Sequence, residues 1–265
     1  MKKRNVPGAS RLSSTHPESD LYQRHAWPVR VMHWINALAF FLMLMSGLMI
    51  FNAHPTLYWG EQSYADAPVV LHIEPPPGHF GHSIPAWMTI PSYYSLAKSR
   101  RWHFFFMWVF VANGLALVLW SVASRHLNRD LWPSRSDIAG IGRSVIDHLR
   151  FRHPAGEAAR RYNVLQKIAY VIVIFILLPM MVVTGFAMSP GMNALWPGWV
   201  DWLGGRQSAR TIHFITAGAL VTFLLVHVAL VVATGPWNNM RSMITGRYRI
   251  RQDVTQGREA SDEAR

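Results

Sequence analysis

The sequence predicts an all-α integral membrane protein: a four-helix bundle with both termini cytoplasmic and a long first periplasmic loop. Three observations carry that expectation. Only 15% of the 265 residues are charged while 51% are hydrophobic, a charge content low for a soluble domain. Charge is absent from four long runs, between Arg30 and Glu61 and through Trp102–Ser124, Ile168–Val200 and Thr211–Met240. Each holds a stretch of about 20 apolar residues, the length that crosses roughly 30 Å of hydrocarbon as a helix. The basic residues are also unevenly spread. Six lie before the first run, nine within residues 125–167 and six after the fourth run, against three within 52–101 and two within 189–210. The basic side faces the cytoplasm.

The spans are expected near residues 31–51, 102–124, 164–188 and 211–234, within a single four-helix domain over 21–250. Residues 1–20 and 251–265 are polar and poor in aromatics, and are expected to be flexible cytoplasmic ends. The first apolar segment is too long for a signal-peptide core and no small-residue cleavage site follows it, so a retained span is expected. A net charge of +12 could suggest nucleic acid. The sidedness of the charge accounts for it without such a partner. The absence of cysteine excludes disulfides, cysteine-ligated iron–sulfur clusters and thioether-linked haem on this chain.

The connection over 52–101 is proline-rich, with Pro75, Pro76, Pro77, Pro85 and Pro91. Trp59, Trp87, Tyr93 and Tyr94 near its ends suit an interfacial belt, and Ile84–Ala97 could lie as a short helix at headgroup level. A connection of this length is either functional or without fixed structure; a lid or docking surface is favoured. No internal repeat is evident.

Four of the thirteen histidines lie in or at the edges of the spans: His33, His103, His213 and His227. One such histidine alone could equally be a hydrogen-bonded interhelical residue. Four together, with no Asp or Glu in the spans, argue against a proton relay or a carboxylate metal site. Neutral imidazoles without anionic partners suit axial ligation of haem iron. His213 and His227 are 14 residues apart, close to four turns, so they share a helix face and stand about 21 Å apart along the axis. That places one ligand near each membrane face. Depth then pairs His33 with His227 at an inner haem b and His103 with His213 at an outer one.

The run Trp27-Pro-Val-Arg30-Val-Met-His33-Trp34 resembles the first-helix motif of the bacterial cytochrome b561 and nickel–iron hydrogenase b-type cytochrome family. Arg101-Trp102-His103-Phe104 with Asn113-Gly114 resembles its second helix. Tyr162-Asn163-Val-Leu-Gln166-Lys167, with Pro179 and Thr184-Gly185, resembles the third, and the spaced pair His213 and His227 the last. The resemblance covers about residues 22–248. It implies a membrane dihaem cytochrome b of the bacterial inner membrane, serving as anchor and electron-transfer subunit between the quinone pool and a periplasmic oxidoreductase. That partner would be a hydrogenase, a molybdenum enzyme or a cytochrome.

Supporting residues keep two readings each. Arg30 and Arg24 inside, and Arg100, Arg101 and Arg210 outside, sit where haem propionates would emerge; for Arg30 and Arg101 the alternative is interfacial anchoring. Gly47, Gly114, Gly185 and Gly218 would admit a macrocycle or a neighbouring helix. Met43, Met45 and Met49 are core filler before they are ligands. His72, His79 and His82 could form a loop metal site, but no helix fixes their geometry and a solvated role is favoured. Asn36, Asn163, Gln166 and Lys167 are candidate inner-side quinone contacts. Two histidines per iron leave no open position, which favours an electron-transfer subunit over a self-contained enzyme. The rival is a free-standing quinone-coupled oxidoreductase such as a superoxide oxidase, and a third reading is a haem-free anchor.

Overall fold

The computed structural model describes residues 21–64, 66–77, 82–124, 164–196 and 198–249. The expected flexible ends, His79 and Asn163 therefore lie outside the described residues. Four helices are long and apolar enough to cross a membrane: α1 (Trp27–Asn52), α2 (Leu96–Ala123), α3 (Val164–Ala187) and α4 (Arg206–Ala233). The protein is a multi-pass membrane protein of the predicted all-α class.

The helix ends follow local chemistry. Pro28 sits in the first turn of α1, where its missing N–H costs nothing and its fixed φ suits the helix. The Ser95 hydroxyl caps α2 by accepting from the Lys98 backbone N–H at 3.4 Å. α2 thus begins six residues before the expected span, because Lys98, Arg100 and Arg101 sit on a turn that extends past the apolar run. α3 contains a wide turn, Val173–Leu177, with the Leu178 N–H reaching the Val173 carbonyl. Pro179 follows directly and has no N–H to give the normal ladder, a known cause of such irregularity.

The bundle is built as two antiparallel pairs. α1 packs along α2, and α3 along α4, while backbone contact between the pairs is sparse among the described residues. Small side chains seal the close approaches within the spans: Ala39, Ser46, Ser99, Thr184, Ala187, Ala209 and Thr211 are all essentially inaccessible, as expected where helices meet without a hydrophobic driving force.

Each end of the bundle is tied by short extended segments. At the end that carries the termini, here the tail end, β1 (Leu21–Gln23) pairs antiparallel with β4 (Arg247–Arg249). A short helix α5 (Pro236–Thr245) turns back after α4 and ends at Gly246, whose φ of +84° closes it. Trp34 Nε1 donates to the Met243 carbonyl at 3.1 Å, and the Arg30 guanidinium donates to the Ile244 carbonyl. The start of α1 is thereby fixed to the chain that leaves α4.

At the opposite, loop end, β2 (Thr56–Tyr58) pairs antiparallel with β3 (Val69–His72), Thr56 facing His72 and Leu57 facing Leu71. β2 also docks on the start of α4: the Gly60 carbonyl accepts the Gln207 and Ser208 backbone N–H groups at 3.0 and 3.1 Å. Thr211 Oγ1 donates to the Tyr58 carbonyl at 2.6 Å. The expected interfacial helix over Ile84–Ala97 does not form. One tight turn, Ala86–Met88, stands there instead, and α2 starts at Leu96. Pro91 explains the interruption, since a proline pushes the residue before it out of the helical region.

Candidate functional site

The four histidines of the spans meet in two pairs. The ring centres of His33 and His227 are 6.5 Å apart, and those of His103 and His213 are 6.3 Å apart. Each pair bridges the two helix pairs, α1 to α4 in the first case and α2 to α4 in the second. Along α4 the two sites are offset by about 21 Å, four turns of helix, so they lie toward opposite ends of the bundle.

The loop-end pair is held through its second ring nitrogens. Ser46 Oγ lies 3.2 Å from His103 Nδ1, and the Met43 carbonyl lies 3.0 Å from the same atom. Ser46 donates its own proton to the Leu42 carbonyl at 2.7 Å, so its lone pairs face the ring and His103 Nδ1–H is the donor. On the other side, Thr184 Oγ1 lies 2.9 Å from His213 Nδ1 and donates to the Met180 carbonyl at 2.6 Å. Nδ1 is therefore the protonated nitrogen in both rings, and Nε2 is left as a lone-pair donor for a ligated group. The glycine after each hydroxyl lets the ring approach. A Cβ on Gly47 would stand 3.4 Å from His103 Cε1, and one on Gly185 3.6 Å from His213 Cε1.

The tail-end pair is held differently. His33 packs edge-on against Trp34, with ring centres 5.3 Å apart, and Phe223 stacks on His227 at 5.9 Å. His33 Nδ1 is buried and has no hydrogen-bond partner among the described residues. Gly114 lies 11 residues after His103, three turns on, so it shares that helix face about 16 Å nearer the tail end. A Cβ there would meet nothing within 4 Å, which leaves space for a bulky group.

The other expected residues divide. Arg30 faces the tail end and is engaged by the Ile244 carbonyl, while its Nε is buried without a hydrogen-bond partner among the described residues; Arg101 is exposed at the loop end. Arg210 donates to the Thr56 carbonyl at 2.9 Å and to the His54 carbonyl. Arg24 and Arg100 lie over the rings of Tyr248 and Phe104. Of the polar quinone candidates, Asn36 accepts from Asn113 Nδ2 at 2.7 Å. His72 and His82 do not converge: His72 Nδ1 sits 2.7 Å from Thr56 Oγ1, and His82 packs on Tyr94. Among the described residues no cluster of three metal-ligating side chains forms. His54, near His72, is held below the ordinary imidazole range by burial first, then by the Arg210 and His72 charges. Ser46 and Thr184 were not singled out from sequence as partners of the histidines. The signal is a short correspondence, Met43-x-x-Ser46-Gly47 and Met181-x-x-Thr184-Gly185.

A bundle of four apolar helices carrying two facing histidine pairs defines a membrane haem-protein scaffold. A metal atom held between two imidazoles at about 2 Å from each nitrogen, with about 1.1 Å from nitrogen to ring centre, would set the ring centres roughly 6.2 Å apart. Both pairs fit that spacing. The profile of the prokaryotic cytochrome b561 family matches residues 24–246, and the chain belongs to that family of b-type cytochromes.

Similar proteins include a chain of Azospira oryzae named as the protein-methionine-sulfoxide reductase subunit YedZ1. It is 28% identical over 212 residues, covering 80% of this chain and 91% of that one. A chain of Cupriavidus necator named as a nickel–iron hydrogenase B-type cytochrome subunit is 26% identical, covering 85% of this chain and 86% of that one. A chain of Rhodobacter capsulatus with the same name is 24% identical, covering 91% of this chain and 86% of that one.

Proposed function

We propose that the chain is a dihaem cytochrome b that carries electrons between the quinone pool and a periplasmic oxidoreductase partner. His33 and His227 hold the inner haem, His103 and His213 the outer one, and both termini are cytoplasmic. The observation that carries the reading is the pair of imidazole couples, 6.5 and 6.3 Å between ring centres, stacked along one helix. Each couple is bridged across helix pairs whose backbones otherwise stand apart, which leaves room for a flat group between them.

A haem held by these histidines would supply one-electron exchange. The chain's residues do the rest. Ser46, Thr184 and the Met43 carbonyl orient the outer rings, the α5–β4 tie at Arg30 and Trp34 holds α1 in register with the end of α4, and Gly114 keeps the tail-end space clear. Arg30 and Arg101 lie at the two ends of the bundle, within the turns that precede His33 and His103, and are assigned to the propionates. A partner oxidoreductase is supported by the names of the similar chains, each named as a subunit of a reductase or a hydrogenase, and the proposed orientation puts that partner on the periplasmic side. The outer face it would meet is the β2–β3 connection.

The test is anaerobic electron exchange by the haem-loaded chain in lipid nanodiscs. A short-chain quinol should reduce it, or the corresponding quinone oxidise its reduced form, within seconds. Exchange no faster in its presence than in protein-free nanodiscs containing free haem would remove the quinone pool from the reading.

A further inference from the structure

We infer that Ser46 and Thr184 are positioning residues that set the redox potential of the loop-end centre, holding it below the potential their removal would give. The inference rests on the assignment of His103 and His213 as haem ligands. The two hydroxyls occupy matching places. Ser46 on α1 and Thr184 on α3 each donate to the carbonyl four residues back, at 2.7 and 2.6 Å, and each turns a lone pair to a histidine Nδ1, at 3.2 and 2.9 Å. Each precedes a glycine against which the same ring packs. Both side chains are fully buried. A hydroxyl in that position fixes the tautomer and makes the ring a more basic ligand, which favours the ferric over the ferrous iron.

Among the described residues the tail-end pair lacks this arrangement: His33 Nδ1 is buried with no hydrogen-bond partner there, and Phe223 covers His227 by stacking. The two sites share one ligand set but differ in the groups behind it. The contrast gives the bundle two electronically distinct centres, with the loop-end one tuned by hydroxyls from two different helices.

The experiment is a potentiometric titration of the haem-loaded full chain beside Thr184→Val, Ser46→Ala and Thr184→Ser. Thr184→Val keeps the volume and removes the hydroxyl acceptor, leaving the backbone partner at Met181, as Ser46→Ala leaves the Met43 carbonyl; Thr184→Ser restores the hydroxyl. Second-layer partners of this type change metal affinity by about 10- to 100-fold. If the ferric form loses tenfold more than the ferrous, the midpoint rises by about 59 mV. Thr184→Val and Ser46→Ala should raise the same spectral component and leave the other in place, and Thr184→Ser should sit with wild type. Two intact haems with both midpoints unmoved in Thr184→Val overturn this inference alone, as does movement of different components by the two variants. A wild-type preparation without a second haem overturns the ligand assignment and this inference with it.

Discussion

Gly205 sits between two parts of the loop end that the chain must bring together. Its backbone has φ +100° and ψ 173°, a region open essentially to glycine alone. A Cβ there would lie 2.6 Å from the Gly60 carbonyl oxygen and 2.7 Å from Glu61 Cα, both backbone atoms that cannot swing aside. Gly205→Ala therefore forces β2 off the start of α4. Three hydrogen bonds are lost with it: Gln207 N–H and Ser208 N–H to the Gly60 carbonyl, and Gly60 N–H to Ser208 Oγ at 2.8 Å. Gly235 provides the control, with φ +106° and nothing within 4 Å of its Cβ. Both positions have positive φ, and each substitution carries a backbone strain of about 1–3 kcal/mol, so the comparison removes most of that common cost. At about 1 kcal/mol per hydrogen bond, Gly205→Ala should cost roughly 3 kcal/mol more than Gly235→Ala. For a chain of this size that is about 6–12 °C in melting temperature. Thermal unfolding of the two variants in the same detergent, followed by helical circular dichroism, reads the difference. Gly205→Ala should also loosen the loop-end pair, because His213 lies just over two turns into α4. Equal melting temperatures would refute the docking of β2 on α4 as a stabilising contact.

Two further outcomes follow from the bundle geometry. His33→Ala and His227→Ala should each remove the same spectral component, and His103→Ala and His213→Ala the other, when the variants are compared by spectrum and potentiometric titration. The pairing fails if His33→Ala and His213→Ala lose one component while His227→Ala loses the other. Labelling of a reporter at the C-terminal tail should place it in the cytoplasm, in line with the 21 basic residues on the side of the termini against five on the other; a periplasmic readout would reverse the inner and outer assignments.

The four spans were legible because hydrocarbon leaves no alternative to long uncharged runs, and the histidine pairs because depth along an antiparallel bundle restricts which rings can meet. His33 with His227 and His103 with His213 are the pairs the structure brings together. What escaped was lateral detail. Ser46 and Thr184 sit in apolar spans where a hydroxyl ordinarily serves helix packing, and their histidine partners lie 57 and 29 residues away. The four span glycines looked alike in sequence. Gly47 and Gly185 abut histidine rings, whereas Gly114 and Gly218 have nothing within 4 Å of a Cβ. The sequence puts Arg210 where a haem propionate would emerge, but its guanidinium is taken by the carbonyls of His54 and Thr56. That contact depends on where β2 folds, which no local pattern encodes. The helix expected over Ile84–Ala97 failed on Pro91, and the start of α2 was set by the Ser95 cap, not by the first apolar residue.

The most direct test of the account is the haem content and spin state of the purified chain. A pyridine haemochrome assay against quantitative amino-acid analysis should give two haem b per chain. Electron paramagnetic resonance of the oxidised sample should show two low-spin ferric signals, since the proposal gives each iron two imidazole ligands. One haem per chain, or a high-spin signal from an intact sample, would contradict the two-pair reading.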